Sequence, residues 1–161
     1  MTILRRSKVV ASSVLAAVAL VVSSSIGSPL AAAATTCAAS PSDSNCTGKW
    51  PDQQGCWGRD AYVAAASNWT DSRTGVRMQT QVWWSPTCRT NWGQVYSLDH
   101  SRQFLEVDVT RVEPMIIEIA APVLLQSAQL WSPMVYAPDT KAWACGWDVD
   151  HQITTNCTSA V

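Results

Sequence analysis

In the stretch WDVDHQ, Asp148, Asp150 and His151 put two carboxylates and an imidazole within four positions. Those are the residue types of a small acid–base hydrolase. Asp148 and Asp150 would share one face of an extended strand, whose side chains alternate with a period of two. Paired carboxylates could also begin a Ca²⁺ site. Both jobs need further oxygen ligands or a second positioned acid, which the stretch does not supply. A solvated loop between Cys145 and Cys157 accounts for it better. Asp99-His100-Ser101 lists the members of a nucleophilic triad, but adjacent residues cannot converge as a triad must, and the segment reads as a polar turn. The six cysteines form no CxxC pair, and His100 and His151 lack paired ligand spacing. Their chemistry is therefore the disulfide rather than metal or redox catalysis. The residues assign no catalytic group, no metal and no cofactor.

Tryptophan is the anomaly: nine are present against one phenylalanine. Trp57 beside Cys56, Trp92 near Cys88, and Trp143 and Trp147 flanking Cys145 suit a core packed on disulfides. Trp83 does not. In the alternating run VRMQTQVWW, Met78, Thr80, Val82 and Trp84 form one face, while Trp83 shares the other with Arg77, Gln79 and Gln81. Trp131 next to Gln129, and Phe104 beside Glu106, break polar faces in the same way. A Trp ring offers a broad apolar face and one N–H donor, useful against a sugar ring or a protein partner. Trp83, Trp131 and Phe104 are therefore candidate binding residues, joined by Arg89 in the loop SPTCRTNW. A competing account has the N-terminal arm cover that face, making Trp83 part of a second, smaller core.

The elements that must position these residues are mostly strands. QFLEVDVTRV sets Leu105, Val107 and Val109 against Phe104, Glu106 and Asp108. MIIEIAAPVLL, NWGQVYSL, AQLWSPMVY and KAWACGW supply further short strands, with Pro and Gly between them. Such spacing predicts a mainly β fold, a small antiparallel sandwich or partly closed barrel. Residues 59–69, RDAYVAAASNW, fit either a short helix, which alanine favours, or a strand, which Tyr62 and Val63 favour. Thr35 to Cys56 has no apolar period and reads as an irregular arm.

Arg5, Arg6 and Lys8, the apolar run Val9–Val22 and Ala32-Ala33-Ala34 follow the order of a secretory signal peptide, with cleavage near Ala34. The apolar run is shorter than the ~20 residues of a spanning helix, and the export route is open between the general and twin-arginine pathways. The expected organisation is a leader over 1–34, an arm over 35–55 and one β domain over 56–161. Without the leader, eight basic residues face twelve acids, a net charge of −4. No basic stripe suggests nucleic acid, and no later stretch suggests a membrane. The mature chain is expected to be extracellular.

GCWGRDAY together with WWSPTCRTNWGQV resembles a secreted Gram-positive family catalogued as domain of unknown function 2690. Gly55-Cys56, Asp60-Ala61, Ser85, Cys88 and Asn91-Trp92 carry the likeness, and MVYAP with KAWACG resembles the family's C-terminal end. The chain departs from the pattern at Gly93-Gln94, and in the Cys37–Cys46 arm and the Cys157 tail. The resemblance implies secretion, a compact β domain and a Cys56–Cys88 bridge, and it brings no catalytic residue. Proximity then favours Cys37–Cys46 and Cys145–Cys157. The expected function is non-catalytic binding at the cell envelope through aromatic side chains, with an envelope glycan or a secreted protein as partner. One alternative is an inhibitor of an extracellular hydrolase presenting Arg89 on loop 85–92. The other is the small hydrolase of Asp148, Asp150 and His151.

Overall fold

The computed structural model describes residues 35–58, 60–70, 75–120, 126–148 and 156–161. The expected leader, Asp150 and His151 lie outside the described residues. The alternating segments become two antiparallel sheets. One contains β1 (Tyr62–Thr70), β2 (Arg77–Ser85), β3 (Thr90–Ser97) and β6 (Gln129–Trp131) in that order, with β7 (Val135–Tyr136) paired to the start of β3. The other has the order β5 (Ile116–Ala120), β4 (Leu105–Arg111), β8 (Ala142–Asp148), β9 (Asn156–Cys157). Of the two expected architectures, the sandwich is the one formed. The helix allowed near 59–69 is not: Tyr62–Thr70 is strand, paired with β2 from Tyr62↔Trp84 to Thr70↔Arg77. That pairing satisfies the backbone and overrides alanine's helix preference. The described helix is instead α1, Asp43–Cys46, in the arm, where the Ser42 hydroxyl accepts the Asn45 N–H.

The core lies between the sheets. Met78 and Val95 meet Leu105 and Val107, and Val82 meets Val109, Val135 and Ala144. Each such side chain contributes roughly 1.5–3 kcal/mol on burial. Two glycines set how closely the sheets approach. A Cβ on Gly93 of β3 would lie 2.6 Å from the Asp108 carbonyl oxygen, and one on Gly146 of β8 would lie 2.7 Å from Thr80 Oγ1. Glycine stands at these two positions because neighbouring backbone and side chain already fill the space of a methyl group.

All three expected bridges are present: Cys37–Cys46, Cys56–Cys88 and Cys145–Cys157. The arm is not held by cysteines alone. Gly48 N–H donates to the Met134 carbonyl at 2.9 Å, and Met134 N–H donates to that of Lys49 at 2.8 Å. The Thr47 hydroxyl donates to Asp43 Oδ1 at 2.7 Å and accepts the Tyr136 N–H at 3.0 Å. Arg111, buried at the end of β4, closes the attachment. Its Nη1 donates to Asp43 Oδ1 at 2.9 Å and to the Tyr136 carbonyl at 2.6 Å, and its Nε donates to that of Pro114 at 3.0 Å.

On the outer side of β4, burial pushes the Asp108 carboxyl above its ordinary range. The Cys145 N–H partly opposes the shift and the Glu106 carboxylate adds to it. A carboxyl raised in the folded state binds its proton more tightly there than when unfolded. Stability therefore falls as pH rises from the ordinary Asp range through the raised value. Asp108→Asn keeps an oxygen for the Cys145 N–H, 3.3 Å away, and removes the charge. Its urea midpoint is expected to exceed wild type near pH 7, with the gain shrinking toward about pH 3. A variant weaker than wild type at both would contradict this.

Candidate functional site

The register of the first sheet builds its outer face in rows. Asn68, Gln79, Tyr96 and Gln129 are neighbours across β1, β2, β3 and β6; Ala66, Gln81, Gln94 and Trp131 form the next row. Val63, Trp83 and Trp92 form the third. Met78, Thr80 and Val82 point into the sandwich, so the alternate positions must point out.

Trp83 gives the polar rows a direction. Its indole N–H can only donate, and it donates to Gln81 Oε1 at 3.0 Å and to Gln94 Oε1 at 3.1 Å. Both amide oxygens therefore turn toward Trp83, and both NH₂ groups turn away. The Gln94 NH₂ donates to Gln129 Oε1 at 3.4 Å. The Gln81 NH₂ donates to Gln79 Oε1 and to the Tyr96 hydroxyl, and that hydroxyl also donates to Gln79 Oε1. The Gln79 NH₂ passes the sequence on to Asn68 Oδ1 at 2.6 Å. The ladder is neutral, ordered and polarised from Trp83 toward the exposed Asn68.

The aromatic row is roofed by Trp57, just past the end of the arm. Trp57 stacks on Trp83 at 5.5 Å and meets Trp131 edge-on at 4.2 Å; Trp83 lies nearly parallel to Trp92 at 6.0 Å. Each such pair is worth about 0.5–1.5 kcal/mol beyond burial. Beneath the rings, the Cys37–Cys46 and Cys56–Cys88 bridges pack with Trp92 and Met134. The sulfurs of Cys37, Cys56 and Cys88 lie within 4.8 Å of one another, as adjoining cystines that offer no thiolate to a metal. Trp92 Nε1 is buried with no hydrogen-bond partner among the described residues. Such an orphan donor costs ~1–3 kcal/mol, so ring packing holds the cluster in spite of it.

No family model, curated protein or solved structure matches the chain.

Of the expected binding residues, Trp83 and Trp131 come together, both half-buried. The second-core account thus describes much of Trp83's environment, though not all of it. Phe104 is half-buried just before β4 and makes no ring contact with the cluster among the described residues. Arg89 lies on another surface, in a left-handed conformation with φ 55°, its guanidinium 3.6 Å from Asp139. The turn that holds it is tight, with Arg89 N–H donating to the Ser85 carbonyl at 2.7 Å. This is far from the extended segment that pairs with a sheet edge in peptide recognition. Asp148 is buried at the end of β8, and its expected partners lie outside the described residues. Asp99 accepts the Ser101 N–H at 3.0 Å, which with the Ser101 hydroxyl lowers its pKa; the segment is a polar turn.

Trp92 is fully buried as expected for a core residue, but Trp57 is 44% exposed. A bonded neighbour fixes the backbone at Cys56 and leaves the next side chain free to reach across the surface. Trp57 and Trp50 flank a depression of about 450 Å³ that also touches Gln129 and Trp131. A second depression, about 530 Å³, runs over Gln81, Gln94 and Tyr96 to His100 and shares Gln129. The glutamines and Trp50 were missed in the sequence. The signal for the glutamines was present in the alternation of QTQ, but their convergence depends on register.

Proposed function

We propose that this protein is a secreted, non-catalytic binding module of the cell envelope, and that the outer face of the first sheet takes a neutral glycan. The carrying observation is the junction of an aromatic wall with the polarised amide ladder across two depressions that share Gln129. A pyranose has C–H faces that stack on indole rings and hydroxyls that both donate and accept. The Gln, Asn and Tyr side chains of the ladder do the same. The depressions hold one carboxylate, Asp52, and one imidazole, His100, each in its own depression. Glycoside hydrolysis uses a pair of carboxyl groups flanking the bond instead. Export is supported by the leader pattern and by three disulfides, which persist in oxidising compartments. No helix of the described residues is long and apolar enough to cross a membrane.

The test is retention on insoluble cell-wall glycan. Trp57→Ala and Gln129→Ala are each expected to weaken retention about tenfold, ~1.4 kcal/mol, in proteins that still melt cooperatively. Retention unchanged in both variants would end the proposal.

A further inference from the structure

A second pocket lies on the other side of the first sheet, apart from the glycan face and independent of that proposal. Tyr62, Trp84 and Asn91 are neighbours in one row across β1, β2 and β3. Together with Ala137, Thr140 and Lys141 they line a cavity of about 360 Å³, within the ~300–1,000 Å³ range of small-molecule sites.

Its polar element is Asn91, only 2% exposed. The Asn91 Nδ2 donates to the Trp83 carbonyl at 3.0 Å. A carbonyl can only accept, so the amide orientation is fixed and Oδ1 is the atom left for the cavity. No hydrogen bond among the described residues occupies Asn91 Oδ1, and the atom is not sealed away, so a donor entering the cavity can reach it. Tyr62 and Trp84 supply aromatic walls, and the exposed Lys141 supplies a cationic donor at the rim.

From this arrangement we propose that the pocket binds an N-acetylated hexosamine. Its acetamido N–H would donate to Asn91 Oδ1, the acetyl methyl would pack on Trp84, and the acetyl oxygen would face Lys141. A hexose without the acetamido group offers no N–H and no methyl to these partners. The open pair of aromatic rings suits a sugar ring better than the linear chain of an acetylated lysine, which would need a narrow channel.

The experiment is an NMR titration of the oxidised protein with N-acetylglucosamine, glucose and N-acetyl-lysine methyl ester, reading the indole N–H signals. N-acetylglucosamine is expected to shift the Trp84 signal and to bind at least tenfold more tightly than glucose. Tyr62→Ala and Lys141→Ala, both at exposed positions, should each weaken the binding read at Trp84 at least fivefold, whereas Ile117→Ala, exposed on the second sheet, should leave it unchanged. Equal affinity for glucose, preference for the acetylated lysine, an equal loss in Ile117→Ala, or no Trp84 shift at tens of millimolar sugar would each overturn the assignment.

Discussion

Replacing Cys56 and Cys88 together by alanine is expected to remove the cooperative thermal transition at physiological temperature, or to lower stability by about 4 kcal/mol where folding survives. The bridge spans 32 residues. The chain-entropy relation gives about 3.5–4 kcal/mol for a loop of that size, against about 2.5–3 kcal/mol for the loops of 9 and 12 residues closed by the other two bridges. A domain of this size has only ~5–15 kcal/mol of net stability. The bridge also anchors the residue next to Trp57, so its loss releases the roof of the aromatic cluster. Tryptophan emission should shift to the red before the second sheet melts. Urea titrations of the three double-alanine variants check the order. A Cys56/Cys88 variant as stable as the Cys145/Cys157 variant would contradict it.

Asp43→Ala is expected to cost about 3 kcal/mol, although an exposed aspartate ordinarily changes stability by no more than ~0.5 kcal/mol. The side chain of Asp43 is 54% exposed, but that of its partner Arg111 is only 6% exposed. Removing the anion leaves a desolvated guanidinium without its counter-charge, the situation in which breaking a pair costs ~3–5 kcal/mol. The lower end applies because the Tyr136 and Pro114 carbonyls still accept from Arg111. Glu118 reports on the same neighbourhood: its carboxyl is raised first by burial and then by the Asp43 charge. The loss should appear in the urea midpoint and be accompanied by faster proteolysis within the arm. A midpoint within about 0.5 kcal/mol of wild type would show that Arg111 finds compensation elsewhere.

How far the sequence was legible depended on whether a feature was local. The strands β2 and β4 could be read because Met78/Thr80/Val82 and Leu105/Val107/Val109 alternate within themselves. The sheet at β1 could not, because its alanines carry no inward or outward preference and only pairing with β2 decides. Arg111 gave no hint of its role, since its partner lies 68 positions away and no periodicity links them. The candidate site divides in the same way. Trp83 and Trp131 stood out against polar neighbours, whereas the glutamine ladder becomes a unit only when register sets Gln81 opposite Gln94. Trp57 is exposed because the Cys56–Cys88 bridge fixes the backbone beside it without deciding which way its own ring turns. Asp60, conspicuous near Cys56 in the sequence, proves to accept the Thr87 N–H at 2.8 Å, bracing the turn before Cys88.

The four clustered indoles also make the fold visible to polarised light. Rings held at centroid separations of 4.2 to 6.0 Å couple their electronic transitions, and a chiral arrangement of coupled transitions splits the ultraviolet band into lobes of opposite sign. Those lobes overlap the region where strands absorb, so a far-ultraviolet circular dichroism spectrum will under-report the β content of this protein. The same couplet belongs to the assembled cluster alone, and it should collapse when Trp57 lifts from Trp83.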